Sequence, residues 1–158
     1  MVLSDIDAVL KIEQASFPTP WPREAFLYEL ARPGRSVCRV AEAITPEDAP
    51  AILGDIVVWL AGKVAHVATL AVHPAHRRKG IGACLLAEAL LASRDRGMTA
   101  AILEVRAHNQ GAQDLYQKFG FDTVGVRTGY YADTGEDALL MALRSLSRDQ
   151  LAEFAKCG

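Results

Sequence analysis

Glu104 is the one charge inside the apolar run Ala100-Ala101-Ile102-Leu103-Glu104-Val105. A carboxylate in mid-strand is costly to bury unless it is paired or protonated. One reading is an ion pair with Arg106, two residues on and so on the same strand face. The other is a general base facing a cleft. A second chemistry is offered by Arg77-Arg78-Lys79-Gly80-Ile81-Gly82. Its glycines let the backbone come close to a ligand and leave N–H groups pointing outward. The apolar stretch that follows reads as a helix, whose first amides and dipole add positive potential beside three cations. A pyrophosphate needs that combination; a solvated basic turn is the plainer alternative. The run is not a Walker A loop, since no Gly-Lys-Ser/Thr closes it, and it lacks the third glycine of a dinucleotide fingerprint.

Other residues take their meaning from position. Tyr116 lies on an apolar helical stripe, so its ring should be buried and its hydroxyl should need a partner, whether core or ligand. Asn109 stands where that helix starts and suits an N-cap. His66 sits within a strand, where core filling and contact with a substrate compete. The run Phe17-Pro18-Thr19-Pro20-Trp21-Pro22 must be a stiff loop, because three prolines fix the backbone and remove donors. Its two aromatics read as a hydrophobic staple or a pocket wall. Tyr130-Tyr131 is expected in a loop between strands, as a second pocket hint.

The elements that must position these residues are legible from periodicity. Met1 to Leu3 is the stub of a strand. A helix capped by Ser4 or Asp5 carries Ile6, Val9, Leu10, Ile12 and Phe17, and a second helix runs from Pro22 to about Leu30. Strands follow at Val37–Ile44, Ile52–Leu60 and Val64–Val72, with a loop at Thr45–Ala51. A helix after Gly80 ends at Arg96-Gly97, and Ala100–Val105 is the next strand. Asn109 opens a helix closed by Gly120. Strands at Phe121–Arg127 and Ala138–Leu143 are joined by Thr128–Asp137, and Ser147 with Gln150 has capping-box spacing before a short tail helix. The fold class is α/β (α+β), a mixed sheet of six to seven strands with helices on both faces. One domain over 1–145 and a helical tail over 146–158 are expected.

Composition narrows the class. The chain has 158 residues, about half apolar, with a formal charge of −2, which gives no electrostatic case for nucleic acid. No run approaches a membrane span and no signal peptide opens the chain, so no membrane partner is expected. Cys38, Cys84 and Cys157 match no zinc spacing and no disulfide scaffold. No metal site is expected, Cys84 reads as a small core residue, and the expected location is the reducing cytoplasm.

Taken together, the motifs resemble the GNAT superfamily of N-acetyltransferases that use acetyl-CoA. Arg77-x-x-Gly80-x-Gly82 is similar to that superfamily's pyrophosphate loop. Phe17-Pro-Thr-Pro-Trp21, Leu103-Glu-Val-Arg-Ala-His-Asn109, Leu115-Tyr-Gln-Lys-Phe-Gly-Phe121 and Tyr130-Tyr131 with Glu136-Asp137-Ala138 resemble the RimI-type ribosomal-protein-alanine N-acetyltransferases. The similarity spans about Ile6 to Leu143. It implies a GNAT fold in which the backbone of Leu70, Ala71 and Val72 holds the pantetheine arm of acetyl-CoA. The amides from Arg77 through Arg78, Lys79, Gly80 and Ile81 to Gly82 would hold the pyrophosphate, and Asn109 would contact the cofactor further along. Tyr116 would be the acid that protonates departing CoA and Glu104 the base, acting through water. Phe17, Pro18 and Trp21 on one side and Tyr130 and Tyr131 on the other would wall a peptide slot. The implied substrate is the N-terminus of a protein, a ribosomal protein starting with Ala or Ser, and the implied enzyme is a monomer or weak oligomer. One departure stands out. Val64 and His66 occupy positions where ribosomal-type enzymes often carry acidic residues, and the stretch around them is similar to archaeal enzymes and the eukaryotic NatA catalytic subunit. His66 is therefore a further candidate for contact with substrate.

The residue types suit that chemistry. An α-amino group with a pKa of about 7.7–8.0 is partly neutral near pH 7, whereas lysine at about 10.4 is not, so a modest base suffices only for the former. Two other readings compete: a GNAT acting on a small-molecule amine, and a non-catalytic acetyl-CoA-binding module that regulates a partner.

Overall fold

Three antiparallel strands, Ser36–Ile44 (β1), Pro50–Ala61 (β2) and Val64–Val72 (β3), lead into a parallel neighbour, Ala100–Arg106 (β4). The hairpin of Asp122–Tyr131 (β5) and Glu136–Leu143 (β6) completes one six-stranded sheet in the order β1-β2-β3-β4-β6-β5. The computed structural model describes residues 1–44 and 50–155, so most of the expected Thr45–Ala51 loop lies outside the described residues. The mixed sheet and its six strands agree with the expected fold class.

Each face of the sheet is covered by helices whose apolar residues recur at helical spacing. Ile6–Ser16 (α1) and Arg23–Leu30 (α2) bury Ile6, Val9 and Phe26 against Val57, with Trp21, Val40 and Ala68 at the margin. On the other face lie Ile81–Asp95 (α3), Gln110–Lys118 (α4) and Arg148–Phe154 (α5). Their Leu85, Leu86, Leu90, Tyr116, Phe119 and Leu151 share a core with Ile56, Val58, Val67, Leu103 and Met141. Phe154 stacks on Phe119 at 4.2 Å, and Gln150 Nε2 donates to the Phe119 carbonyl at 3.0 Å. Gln150 is therefore spent on α4, and only the Ser147 half of the capping box is made, through the Gln150 N–H.

Some expectations are corrected. Met1–Leu3 adds no strand; Leu3–Asp5 is a 3-10 turn held by the Asp5 N–H on the Val2 carbonyl. β2 begins at Pro50, which sits at the strand's end, where proline is tolerated. Tyr130 and Tyr131 are strand residues, since β5 continues through a bulge between Arg127 and Tyr131 and pairs Tyr131 with Glu136. Cys84 is disulfide-bonded, where a plain core residue was expected.

One irregularity shapes everything nearby. Val58 pairs with Val67 but Val57 pairs with Thr69, leaving Ala68 as an extra residue in β3. Such a bulge bends its strand. Pairing of β3 with β4 runs only from Val64–Ala100 to Val67–Leu103 and stops at that bulge, although both strands continue. Beyond it β2 and β3 stay tightly joined: a Cβ on Gly54 would lie 2.7 Å from the Ala71 carbonyl oxygen. Gly54→Ala is therefore expected to cost about 1–3 kcal/mol by overpacking, measured by chemical denaturation. A loss below about 0.5 kcal/mol, the range of an unremarkable surface change, would show that the two strands part freely here.

Candidate active site

Where β3 and β4 diverge, two cavities open, of about 690 and 740 Å³. Ser16, Phe17, Leu70, Asn109, Ala112 and Tyr116 line both. The cavities therefore meet along Leu70 of β3 and Tyr116 of α4.

The first cavity is built from β3, the glycine loop and α4. Leu70, Ala71 and Val72 line it with backbone that β4 no longer pairs. The loop passes through a 3-10 turn at Pro74–His76, capped by His73 Nδ1 accepting from the Ala75 N–H at 3.2 Å. Two successive turns to positive φ follow, Arg78 at 64° and Gly80 at 84°, of which the second is easy for glycine alone. The first helical bond of α3 runs from the Cys84 N–H to the Gly80 carbonyl, at 3.0 Å. The amides of Ile81, Gly82 and Ala83 thus lie outside the helix ladder, facing the lining. Gly82 has room within the protein for a Cβ, 3.5 Å from Leu115. Arg77 and Arg78 line the cavity and Lys79 does not. The Arg77 guanidinium is engaged elsewhere, donating from Nε to the Val72 carbonyl (3.0 Å) and from Nη2 to Ser16 Oγ (3.1 Å). Asn109 caps α4 by accepting the Ala112 N–H at 3.1 Å and also borders both cavities. Unpaired strand backbone, free helix amides and a guanidinium are the donor and acceptor set that an extended pantetheine with a pyrophosphate requires.

The second cavity has Glu104 in its wall, with Phe17, Pro18 and Trp21 to one side and Tyr130 and Tyr131 to the other. Glu104 is 8% exposed and holds two partners. Its Oε2 is 2.6 Å from His66 Nε2, and its Oε1 is 3.4 Å from Arg127 Nη2. The pair with Arg106, one of the two readings of Glu104, is not formed. Arg106 instead binds Asp133 at 2.7 Å and Glu136 at 3.3 Å, and lies over the Tyr131 ring. Those carboxylates hold Arg106 above its usual range, and Arg106 first among causes holds Asp133 below its own. His66 does not line the cavity; its ring meets Trp59 edge-on at 5.3 Å and reaches Glu104 from behind. Trp59 in turn stacks on Trp21 (5.8 Å) and donates its indole N–H to Glu29 at 2.9 Å. Thr19 Oγ1 donates to Asp133 at 3.1 Å, joining the two walls at the rim. Burial pushes the Tyr131 phenol up to about 12, and burial, with Tyr131 second, holds the Tyr116 phenol above its ordinary value. Both phenols are therefore proton carriers at neutral pH.

Two buried acids lie beneath the first wall. Glu13 of α1 and Asp55 of β2 are both fully buried. Glu13 accepts from Thr69 Oγ1 (2.7 Å) and from the Trp21 N–H (3.3 Å). Among the described residues, neither oxygen of Asp55 has a hydrogen-bond partner. Burial, and then the neighbouring Glu13 charge, push its carboxyl up to about 8. Sequence reasoning passed over Glu13, Asp55, Arg127 and Trp59. Asp55 interrupts an apolar run just as Glu104 does, which was an available signal; the others show their role only once distant strands are joined.

Comparison with known proteins places this geometry in context. The profile of the acetyltransferase (GNAT) family matches residues 6–121. The chain is 35% identical over 141 residues to a Bacillus subtilis protein assigned to alanine N-acetylation of ribosomal protein bS18, covering 89% of this chain and 90% of that one. It is 33% identical over 150 residues to an N-alpha-acetyltransferase of Saccharolobus solfataricus, covering 89% and 87%. The crystal structure of the Escherichia coli ribosomal-protein-S18-alanine N-acetyltransferase superposes with a TM-score of 0.77 at 28% identity, covering 93% of this chain and 92% of that one.

The buried Asp55 makes stability depend on pH. Between 3.8 and about 8 the folded chain keeps a proton that the unfolded chain has released, so stability falls as pH rises through that window. Asp55→Asn removes the cost. At pH 8 it is expected to gain at least about 1 kcal/mol, or roughly 2–4 °C in Tm for a chain of this size, and below pH 4 almost nothing. Equal effects at both pH values in thermal melts would refute this origin.

Proposed function

The chain belongs to the GNAT acetyltransferase family, and from that premise we propose that it acetylates the α-amino group of a protein N-terminus, that of a ribosomal protein starting with Ala or Ser. The observation that carries the reading is the meeting of two cavities at Tyr116 and Leu70, one bordered by the glycine loop and the other by Glu104 between aromatic walls. The relatives named for N-terminal and ribosomal-protein acetylation support it.

Acetyl-CoA, bound in the first cavity, supplies an activated acetyl group. The backbone of Leu70–Val72, the amides of Ile81 and Gly82 and the Arg78 guanidinium hold it, with Asn109 alongside. The peptide's first residues enter between Phe17, Pro18 and Trp21 and the Tyr130-Tyr131 wall. Glu104 takes a proton from the attacking amine, through water, while the new N–C bond forms. When the C–S bond breaks, Tyr116, which lines both cavities, gives its phenolic proton to the sulfur. His66 and Arg127 orient the Glu104 carboxylate from its two oxygens.

The first test is CoA release with acetyl-CoA and peptides with free N-termini beginning Ala, Ser, Met-Leu or Glu, plus an N-blocked peptide with an internal lysine. Turnover confined to Ala and Ser starts is expected. Activity with Met-Leu would favour a broader, archaeal-like enzyme, and silence on all peptides with acetyl-CoA bound would overturn the protein-substrate reading in favour of a small amine or a regulatory module. Glu104→Gln should lower kcat at least about 100-fold and leave the acetyl-CoA Kd unchanged, by calorimetry. Tyr116→Phe should slow thiolate departure in single-turnover kinetics; an unchanged rate with a lowered Tm would make Tyr116 a packing residue only.

A further inference from the structure

Glu13 has a buried charge-bearing side chain that the chemistry above does not use. Its main chain and side chain grip both ends of one loop. The Glu13 carbonyl accepts the Phe17 N–H at 2.9 Å, and Oε2 accepts the Trp21 N–H at 3.3 Å. Oε1 meanwhile accepts Thr69 Oγ1 at 2.7 Å. Thr69 follows the extra residue of the β3 bulge, at the point where β3 has left β4. Phe17, Trp21 and Thr69 all line the cavity that holds Glu104. One carboxylate thus ties the end of α1, the aromatic loop and the bent strand together.

We propose that Glu13 is the positioning residue of the acceptor slot: its carboxylate sets the distance between the Phe17–Trp21 wall and the bulged part of β3. This rests on the reading of that cavity as the seat of the peptide N-terminus. The energetic logic favours such a role. A fully buried acid is kept only at a desolvation cost, and that burial raises the Glu13 pKa, opposed by the Thr69 and Trp21 hydrogen bonds. A leucine of similar size would fill the same space without that cost, but it could not accept from a backbone N–H and a hydroxyl at once. The loop has little slack to compensate, since Pro18, Pro20 and Pro22 offer no donors of their own. Asp55, beside Glu13, takes neither donor: among the described residues its oxygens have no hydrogen-bond partner, so Thr69 and Trp21 point to Glu13 alone.

Two conservative variants separate positioning from folding. Glu13→Gln keeps the shape but offers one acceptor oxygen in place of two. Thr69→Val removes one donor at nearly constant volume. Each is expected to raise the peptide KM about tenfold, the loss of one charge-assisted hydrogen bond, with the acetyl-CoA Kd and the far-ultraviolet dichroism unchanged. In Glu13→Gln the Trp21 amide proton should also move upfield in nitrogen-15 correlated spectra. Equal changes in peptide KM and acetyl-CoA Kd, or a lowered Tm with both constants unchanged, would overturn the proposal. If the wild-type protein turns over no peptide, the N-terminal reading has failed on its own terms, and the Trp21 amide decides: a shift in Glu13→Gln keeps Glu13 as the fastening of the loop, and no shift removes it.

Discussion

The interaction that governs this molecule is one that stops. β3 and β4 pair for four residues and then separate at a single-residue bulge. An all-parallel pairing carried to the strand ends would leave no unpaired backbone and no cavity in the middle of the sheet. Because it ends at Val67 and Leu103, Leu70–Val72 keep their pairing with β2 but have no β4 partner on the other side, where Arg77 takes the Val72 carbonyl, and the side chains of Glu104 and Arg106 face a cleft. The cost of an interrupted ladder is carried by what lies on either side. The α3 face packs Leu85, Leu86 and Leu90 into the core shared with β2, β3 and β4, and the hairpin of β5 and β6 extends the sheet on the far side of β4. The opening therefore sits in a rigid frame.

Polar contacts inside that frame are arranged around the cleft. Glu29 holds the Trp59 indole, Trp59 supports His66, and His66 meets Glu104. On the opposite wall Arg106 joins Asp133, Glu136 and the face of Tyr131. The charged side chains lining the acceptor cavity are each held by an oppositely charged or hydrogen-bonding partner, which limits the rotamers open to them. Asp55, buried behind that cavity and not in its lining, departs from the pattern: among the described residues its carboxyl has no hydrogen-bond partner, and burial pushes its pKa up to about 8.

Much of this was readable in the chain. β3, the glycine loop and the helix after it follow from a run of small and β-branched residues, two glycines and helical spacing, all local signals. Asn109 as a cap was likewise local. The failures share a cause. Glu104 and Arg106 are two residues apart, so a pair between them was one of two readings, but their partners come from elements distant in sequence: His66 and Arg127 for Glu104, Asp133 and Glu136 for Arg106. Tyr130-Tyr131 was expected in the connection between two strands, whereas the pairing that carries β5 through to Tyr131 is set by Glu136 of β6. Glu13 lies on the inward side of an amphipathic helix, where only the fold reveals that a hydroxyl and an amide wait for it.

The bond from Arg77 to Ser16 has a thermodynamic consequence. Arg77 belongs to the glycine loop and is also tied to Val72, whereas Ser16 ends the helix that leads into the aromatic wall and borders both cavities. A ligand that displaces or tightens this bond in one cavity changes the free energy of the fastening that the other cavity uses. Linkage makes such coupling reciprocal: whatever cooperativity the first ligand confers on the second, the second returns in equal measure, whichever binds first.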